Sequence, residues 1–466
     1  MRTSPDCQMA PPAPRARPHG IRGLPSEGSR SLLLGLLALL LLPALPVSGE
    51  AQEARARWDR LCTIRQDKFD LVLPEAMREN NIQMWIVVQR EGHNDPLYED
   101  LGRGYTGDMG YYIFTDRGSD RIERAAFGIG GRMLSACPTY DIIQGSVDLK
   151  AFVTERNPRR IGVNMSSAIG AADGLSHTEY IHLVETLGPE LADRLVSAEK
   201  LVSDFRSRRV ASEIVAFGDA AEITRRIWER ALSNEVITPG VTALEDVAWW
   251  IWDRILEQGL QSSFDMPSVY ITGPEGIEDS SSERIIQRGD LLMIDGGVCY
   301  LNFCPDMKRT AYVLQEGEGQ APASYRHALE QATRVREVIR RNIRAGRTAA
   351  ETLDLLAGEV EAVDGFRIMP GFNQPYRGES TDVIIVSHSV GNLGHGVGPS
   401  IAYFNPKRLT YEIRPTNLFS IEFFAYTPIP EWGGAKLRIP YEDDAVVTDR
   451  GVEWLYPLRD RILLIR

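Results

Sequence analysis

The chain has 466 residues, room for two or three domains at roughly 150 residues each. Hydrophobic residues make up 43% and charged residues 25%, which excludes a disordered chain, a collagen-like repeat and a multi-span membrane protein. The formal net charge is −12, so the basic footprint that phosphate neutralisation needs is absent and nucleic acid is excluded as a partner. Five cysteines are too few for a disulfide scaffold. Cys7 lies in a presequence, and Cys62, Cys137, Cys299 and Cys304 are able to pair without needing to.

From the N-terminus, Ser31–Val47 is apolar and uncharged, and follows Arg2, Arg15, Arg17, Arg22 and Arg30. Small residues come next, so residues 1–50 read as a signal peptide and the protein as secreted or periplasmic. A retained N-terminal membrane anchor is the alternative; Pro43 and Pro46 break the run near its end. Beyond Ala51, apolar residues at helical spacing extend to Met77. Strand-like runs follow at Met84–Val88, Tyr111–Thr115, Ile122–Gly128 and Arg160–Val163, with helical patterns at Thr178–Leu187 and Leu191–Leu201. Strands alternating with helices predict an α/β domain over residues 51–203, and it carries no catalytic motif. Gly128–Gly131 reads as a turn.

Ser203–Val210 is basic and polar, a linker by composition, and a second domain runs from 204 to 466. It opens with helical patterns at Ala211–Asn234 and Ala243–Gly259. Strands and turns then dominate: Ser268–Thr272, Leu291–Ile294, Ala311–Leu314, Val383–Val386 and Leu418–Phe424, interrupted by one helix at Ser324–Ala345. The fold class is α+β.

The chemistry concentrates in this second domain. Asp295 ends an apolar strand, and Asp306 stands just before another, with a Gly-Gly turn between that makes a hairpin bringing both carboxylates to one place. On these two residues alone, turn caps are the better reading. Glu422, inside the apolar run Phe419–Phe424, is not read that way, because an unpaired buried carboxylate is costly. His395 lies among glycines in Leu393–Pro399, and Glu442 opens an acidic cluster before another apolar run. Two Asp, two Glu and one His form a hard-oxygen set with one nitrogen, suited to Mn²⁺, Co²⁺, Fe²⁺ or Zn²⁺. Four carboxylates gathered together need compensation, and two divalent ions supply it. Such a pair can share a hydroxide and hold a carbonyl oxygen for attack, which implies hydrolysis.

In order and spacing these five residues resemble the ligands of the pita-bread metallopeptidases, among them Xaa-Pro aminopeptidase, prolidase and methionine aminopeptidase, with creatinase as a metal-free relative. The blocks that carry the resemblance are Gly289–Gly297, Pro305–Leu314, Ser387–Pro399, Ser420–Gly434 and Tyr441–Val447. It implies a C-terminal pita-bread catalytic domain preceded by a smaller creatinase-type α/β domain, and a homo-oligomer, commonly a dimer. Asp295 would chelate one ion, His395 and Glu422 the other, with Asp306 and Glu442 bridging; Glu422 would also manage protons. Manganese is the expected metal, with cobalt or zinc as alternatives. The implied activity is removal or splitting of residues from short peptides by an Xaa-Pro aminopeptidase or dipeptidase. A non-catalytic binding module and a creatinase-like amidinohydrolase are the alternatives.

The chain departs from this family at three places. Ser-Asp-x-Thr-Arg is replaced by Pro305-Asp306-Met307-Lys308-Arg309. A substrate-binding His is missing near Glu278–Ser280, and the His expected seven residues after the metal His is Ala402. His388, seven residues before His395, is the candidate replacement. Gly391 and Gly394 let its loop turn toward the metals, where a neutral imidazole can orient substrate or stabilise an oxyanion. Otherwise it hydrogen-bonds its own loop.

Overall fold

A computed structural model describes residues 49–280, 283–369, 371–372, 378–458 and 460–466. The apolar run expected to be a signal peptide lies outside them. By its contacts the chain forms two units, Met1–Arg55 and Ala56–Arg466. Of the first, only the opening turns of the helix Gly49–Asp67 are described. Among the described residues no helix is long and apolar enough to cross a membrane.

The N-terminal domain is built on a mixed sheet of six strands: β1 (Met84–Gln89), β2 (Tyr105–Thr115), β3 (Glu123–Gly130), β4 (Ile142–Gln144), β5 (Ile161–Val163) and β6 (Leu195–Ser197). Their order is β4-β3-β2-β1-β5-β6. Every residue of β1 is buried because helices cover both faces. Met84, Ile86 and Val88 pack toward Leu149, Leu183 and Leu187, while Trp85 and Val87 pack toward Leu73, Leu201 and Phe205. The helix expected over Leu191–Leu201 does not form as one element. Pro189–Ala192 is helical, Leu195–Ser197 pairs in parallel with β5 as the edge strand, and a new helix runs Glu199–Ser207. A short apolar run has no period that separates strand from helix, and the free edge of β5 decides it.

The expected linker at 203–210 is also different. Ser203–Ser207 belongs to that last helix, and its basic side chains are buried in ion pairs rather than solvated. Arg206 reaches Asp100 at 2.5 Å, Arg209 reaches Glu213 at 3.0 Å, and Arg208 pairs with Glu79.

The C-terminal domain holds β7 (Gln261–Ser262), β8 (Ser268–Gly273), β9 (Gly276–Glu278), β10 (Leu291–Gly296), β11 (Val298–Cys299), β12 (Met307–Val313), β13 (Phe366–Ile368), β14 (Thr381–Ile385), β15 (His388–Gly391), β16 (Gly394–Ser400), β17 (Leu418–Pro428), β18 (Lys436–Thr448), β19 (Gly451–Trp454) and β20 (Leu463–Ile465). One sheet has the order β20-β12-β10-β8-β9. In the other, β14 and β15 succeed each other along one edge of β17, and β18 pairs with the opposite edge. The expected helices form at Ala211–Ala231, Leu244–Glu257 and Ala323–Asn342. A further helix, Ala349–Glu361, was not expected, although its capping box, Thr348 with Glu351, is written in the sequence. Cys62 pairs with Cys137 and Cys299 with Cys304.

Lys68 is buried, its Nζ 3.1 Å from Glu213 Oε2 and donating to the Arg208 carbonyl at 2.5 Å. Burial lowers its pKa to about 8, although Glu213 pulls the other way. The unfolded chain keeps a value near 10.5, so between these pH values the unfolded state binds the extra proton. Stability from this group therefore rises with pH across that window. Urea unfolding of wild type and Lys68→Met at about pH 8 and pH 10 measures the effect: wild type should gain on the variant at the higher pH. A difference that does not change with pH would refute the assignment.

Candidate metal centre

β10 and β12 pair antiparallel with Asp295 opposite Lys308, so the expected hairpin exists and brings Asp306 beside Asp295. Its connection is an excursion rather than a tight turn. Residues 297–306 are closed by the Cys299–Cys304 disulfide and by Ser263, which donates to the Pro305 carbonyl at 2.8 Å. Gly297 is required where this loop returns: a Cβ there would stand 1.9 Å from the Pro305 carbonyl oxygen.

On the second sheet Glu422 of β17 is the direct partner of Glu442 of β18, and His388 of β15 is the partner of Ser420. Ser420 donates to Glu442 Oε1 at 2.6 Å. The strands thus bring all four expected carboxylates to one cleft, walled by Phe264, Met266 and Pro267.

The two histidines stand differently. His388, expected to face substrate, has a side chain only 6% exposed and does not line the cleft. Its Nε2 lies 3.5 Å from Glu422, 3.6 Å from Glu442 and 3.7 Å from Asp306. Its Nδ1 donates to the Ser389 carbonyl at 3.1 Å, which leaves Nε2 for the carboxylates or a cation. His395 is 63% exposed, stacked edge-on against Phe264, with Nε2 3.7 Å from Asp306. It reaches both the cleft and the carboxylates. The position seven residues beyond His395, where the family resemblance implies another histidine, is Ala402, a core residue.

Sequence reasoning passed over Lys308. Two residues beyond Asp306, its Nζ lies 2.6 Å from Glu442, 2.7 Å from Glu422 and 3.2 Å from Asp295, with 4% of the side chain exposed. Arg309, its neighbour, pairs instead with Asp443 at 2.8 Å. Burial works against the Lys308 charge, but Asp295, Glu422, Glu442 and Asp306 outweigh it and hold the pKa well above the ordinary lysine value. Glu422 and Glu442 are correspondingly held below the usual range: burial opposes this and Lys308 overcomes it. Burial raises Asp306 well above the carboxylate range, helped by Glu442 and Asp295. Burial also pushes His395 down to about 4.

Among the described residues three triads bring ligand atoms within 4.8 Å of one another: Asp306–His388–His395, His388–Glu422–Glu442 and Asp295–Asp306–Glu442. Asp306 Oδ1 and His388 Nε2 are buried without a hydrogen bond, as ligands awaiting a cation would be. A divalent ion fits there. Lys308 stands among the same carboxylates, held to Asp295, Glu422 and Glu442.

This fold of a mixed sheet domain followed by a two-sheet catalytic domain is shared with the X-Pro aminopeptidase from Thermotoga maritima. That match covers 84% of this chain and 99% of the other, with a TM-score of 0.59 and 18% identity. The description Metallopeptidase family M24 matches residues 216–449, and the chain belongs to that family. An uncharacterized peptidase of Bacillus subtilis, YqhT, is 28% identical over 267 residues, covering 55% of this chain and 64% of the relative. A Xaa-Pro dipeptidase of Pyrococcus furiosus is 26% identical over 265 residues, covering 55% of this chain and 65% of the relative. The chain thus spans just under two thirds of the length of these curated relatives.

Gly297→Ala should destabilise the protein by about 1–3 kcal/mol, the usual range for forced overpacking, and weaken divalent-ion binding by displacing Asp306. Urea midpoints and ion titration check both. An unchanged midpoint would show that the excursion has no packing role.

Proposed function

We propose that this chain is an exported metallo-exopeptidase that hydrolyses short peptides in the manner of Xaa-Pro aminopeptidases and dipeptidases. The observation that carries this reading is the convergence of Asp295, Asp306, Glu422, Glu442 and His395 on one cleft with an apolar wall, with His388 buried against the carboxylates. Asp306, His388 and His395 would hold a divalent ion, with manganese expected and cobalt or zinc as alternatives. When bound, such an ion supplies Lewis-acid assistance at the scissile carbonyl and lowers the pKa of water. Phe264, Met266 and Pro267 offer the apolar contact that a prolyl ring needs. Glu422, held ionised by Lys308, is the group to take the proton of the attacking water and return it to the leaving nitrogen. Two disulfides suit an oxidising compartment and so support export.

One observation favours the second reading, a metal-independent binding module or amidinohydrolase. Lys308 partly neutralises the carboxylates by itself.

Incubation of the purified protein with Xaa-Pro dipeptides and longer Xaa-Pro peptides separates the readings. Release of the N-terminal residue should be abolished by a chelator and restored by Mn²⁺ or Co²⁺. Glu422→Gln should cut kcat by about 10²- to 10⁴-fold, the range for a positioned acid–base group. His388→Ala should lose the ion rather than only turnover. Metal-loaded protein that hydrolyses none of these peptides would sink the peptidase reading. Export predicts a mature N-terminus starting between Gly49 and Glu53, and finding Leu33–Leu42 in the mature chain would overturn it.

A further inference from the structure

An ammonium has three hydrogens to donate, and Lys308 meets three carboxylates at 2.6, 2.7 and 3.2 Å. It is as fully engaged as a structural cation. Two of the three triads able to hold a metal use carboxylates that Lys308 already grips: His388–Glu422–Glu442 and Asp295–Asp306–Glu442. The third, Asp306–His388–His395, has no member hydrogen-bonded to it. That third triad also contains two ligand-type atoms that are buried without a hydrogen bond, Asp306 Oδ1 and His388 Nε2.

The charge balance gives the same answer. Four carboxylates face Lys308 and Arg438, whose charge reaches Asp295 and Glu422. Two positive charges against four negative leave a deficit that one divalent ion closes. A second ion would leave these four carboxylates, Lys308 and Arg438 with an excess of two positive charges.

We propose that Lys308 is a resident cation that replaces one of two metal ions, so that this centre binds a single divalent ion, at Asp306, His388 and His395. The proposal rests on the metallopeptidase reading above and refines its metal content. Position 308 thereby sets the nuclearity of the site. The neighbouring strands supply ligands enough for a pair of ions, and the lysine takes the place of one.

The experiment is a metal count on the full chain, independent of turnover. Wild-type protein is equilibrated with excess Mn²⁺ or Co²⁺, freed of unbound ion and measured by elemental analysis, with calorimetric titration alongside. One ion per chain is expected, with an uncoupled single-ion Mn²⁺ spectrum. Lys308→Thr should bind two ions and show the spectrum of a coupled pair. Lys308→Met, which keeps the length and apolar bulk of the stem, is the second variant should the threonine protein fail to fold. It should also melt at a lower temperature than wild type in chelator and recover with Mn²⁺. Two ions in the wild-type protein would overturn this proposal and leave the peptidase reading standing. No bound ion in wild type would overturn both. Variants that fold and still bind one ion would show that Lys308 does not set the count.

Discussion

The C-terminal domain is organised around one electrostatic problem, the gathering of four carboxylates into a space that is largely closed to water. Unpaired, such groups repel one another and lose hydration, and the fold would not hold them together. Lys308 makes the arrangement tenable by contacting three of them at once. That contact depends on strand register. In the β10–β12 ladder Lys308 lies opposite Asp295, and a slip by one residue would present Met307 or Arg309 instead. Arg309 could not substitute where it stands, because it is committed on the other face to Asp443, which also accepts from Tyr456 at 2.7 Å. The disulfide-closed excursion, Gly297 and the Ser263–Pro305 hydrogen bond all act to keep that register.

Much of this was legible in the sequence, and the reasons differ by residue. Glu422 announced itself because a carboxylate inside an apolar strand needs a partner. Asp295 and Asp306 were legible because a strand end, a glycine turn and a strand start predict a hairpin. The surroundings of the two histidines were not: the glycine-rich context of His395 goes with its exposure, while the strand pairing that buries His388 on β15 beside the carboxylates has no local mark. Lys308 was noticed only as a departure from a motif. Its role depends on Glu422 and Glu442, more than a hundred residues away in sequence, and no local pattern encodes that proximity.

The same limit explains the errors in the fold. Leu195–Ser197 is a strand only because β5 leaves an edge to pair with, and Arg206, Arg208 and Arg209 look like a solvated linker only until their acidic partners are known. Those partners, Asp100, Glu79 and Glu213, lie on three different segments. Composition reports how many charges a segment carries and is silent on whether they are matched.

This arginine-rich stretch also connects the N-terminal domain to the chemistry. Ser203 donates to the Val397 carbonyl at 2.9 Å, and Arg209 donates to the Val390 carbonyl at 3.4 Å. Asn417, just before β17, donates back to the Ser207 carbonyl at 2.8 Å. Val390 and Val397 belong to β15 and β16, the strands that carry His388 and His395. Gly398 lies so close to this stretch that a Cβ would stand 2.7 Å from that of Ser207. The histidine hairpin is therefore held on one side by β17 and on the other by the junction between the domains. Histidine donors must keep their place relative to the carboxylates to within a fraction of an ångström for an ion to be held. A flexible linker could not do this. A buried, charge-matched joint can, which gives the basic segment at 203–210 a reason to be ordered that its composition did not reveal.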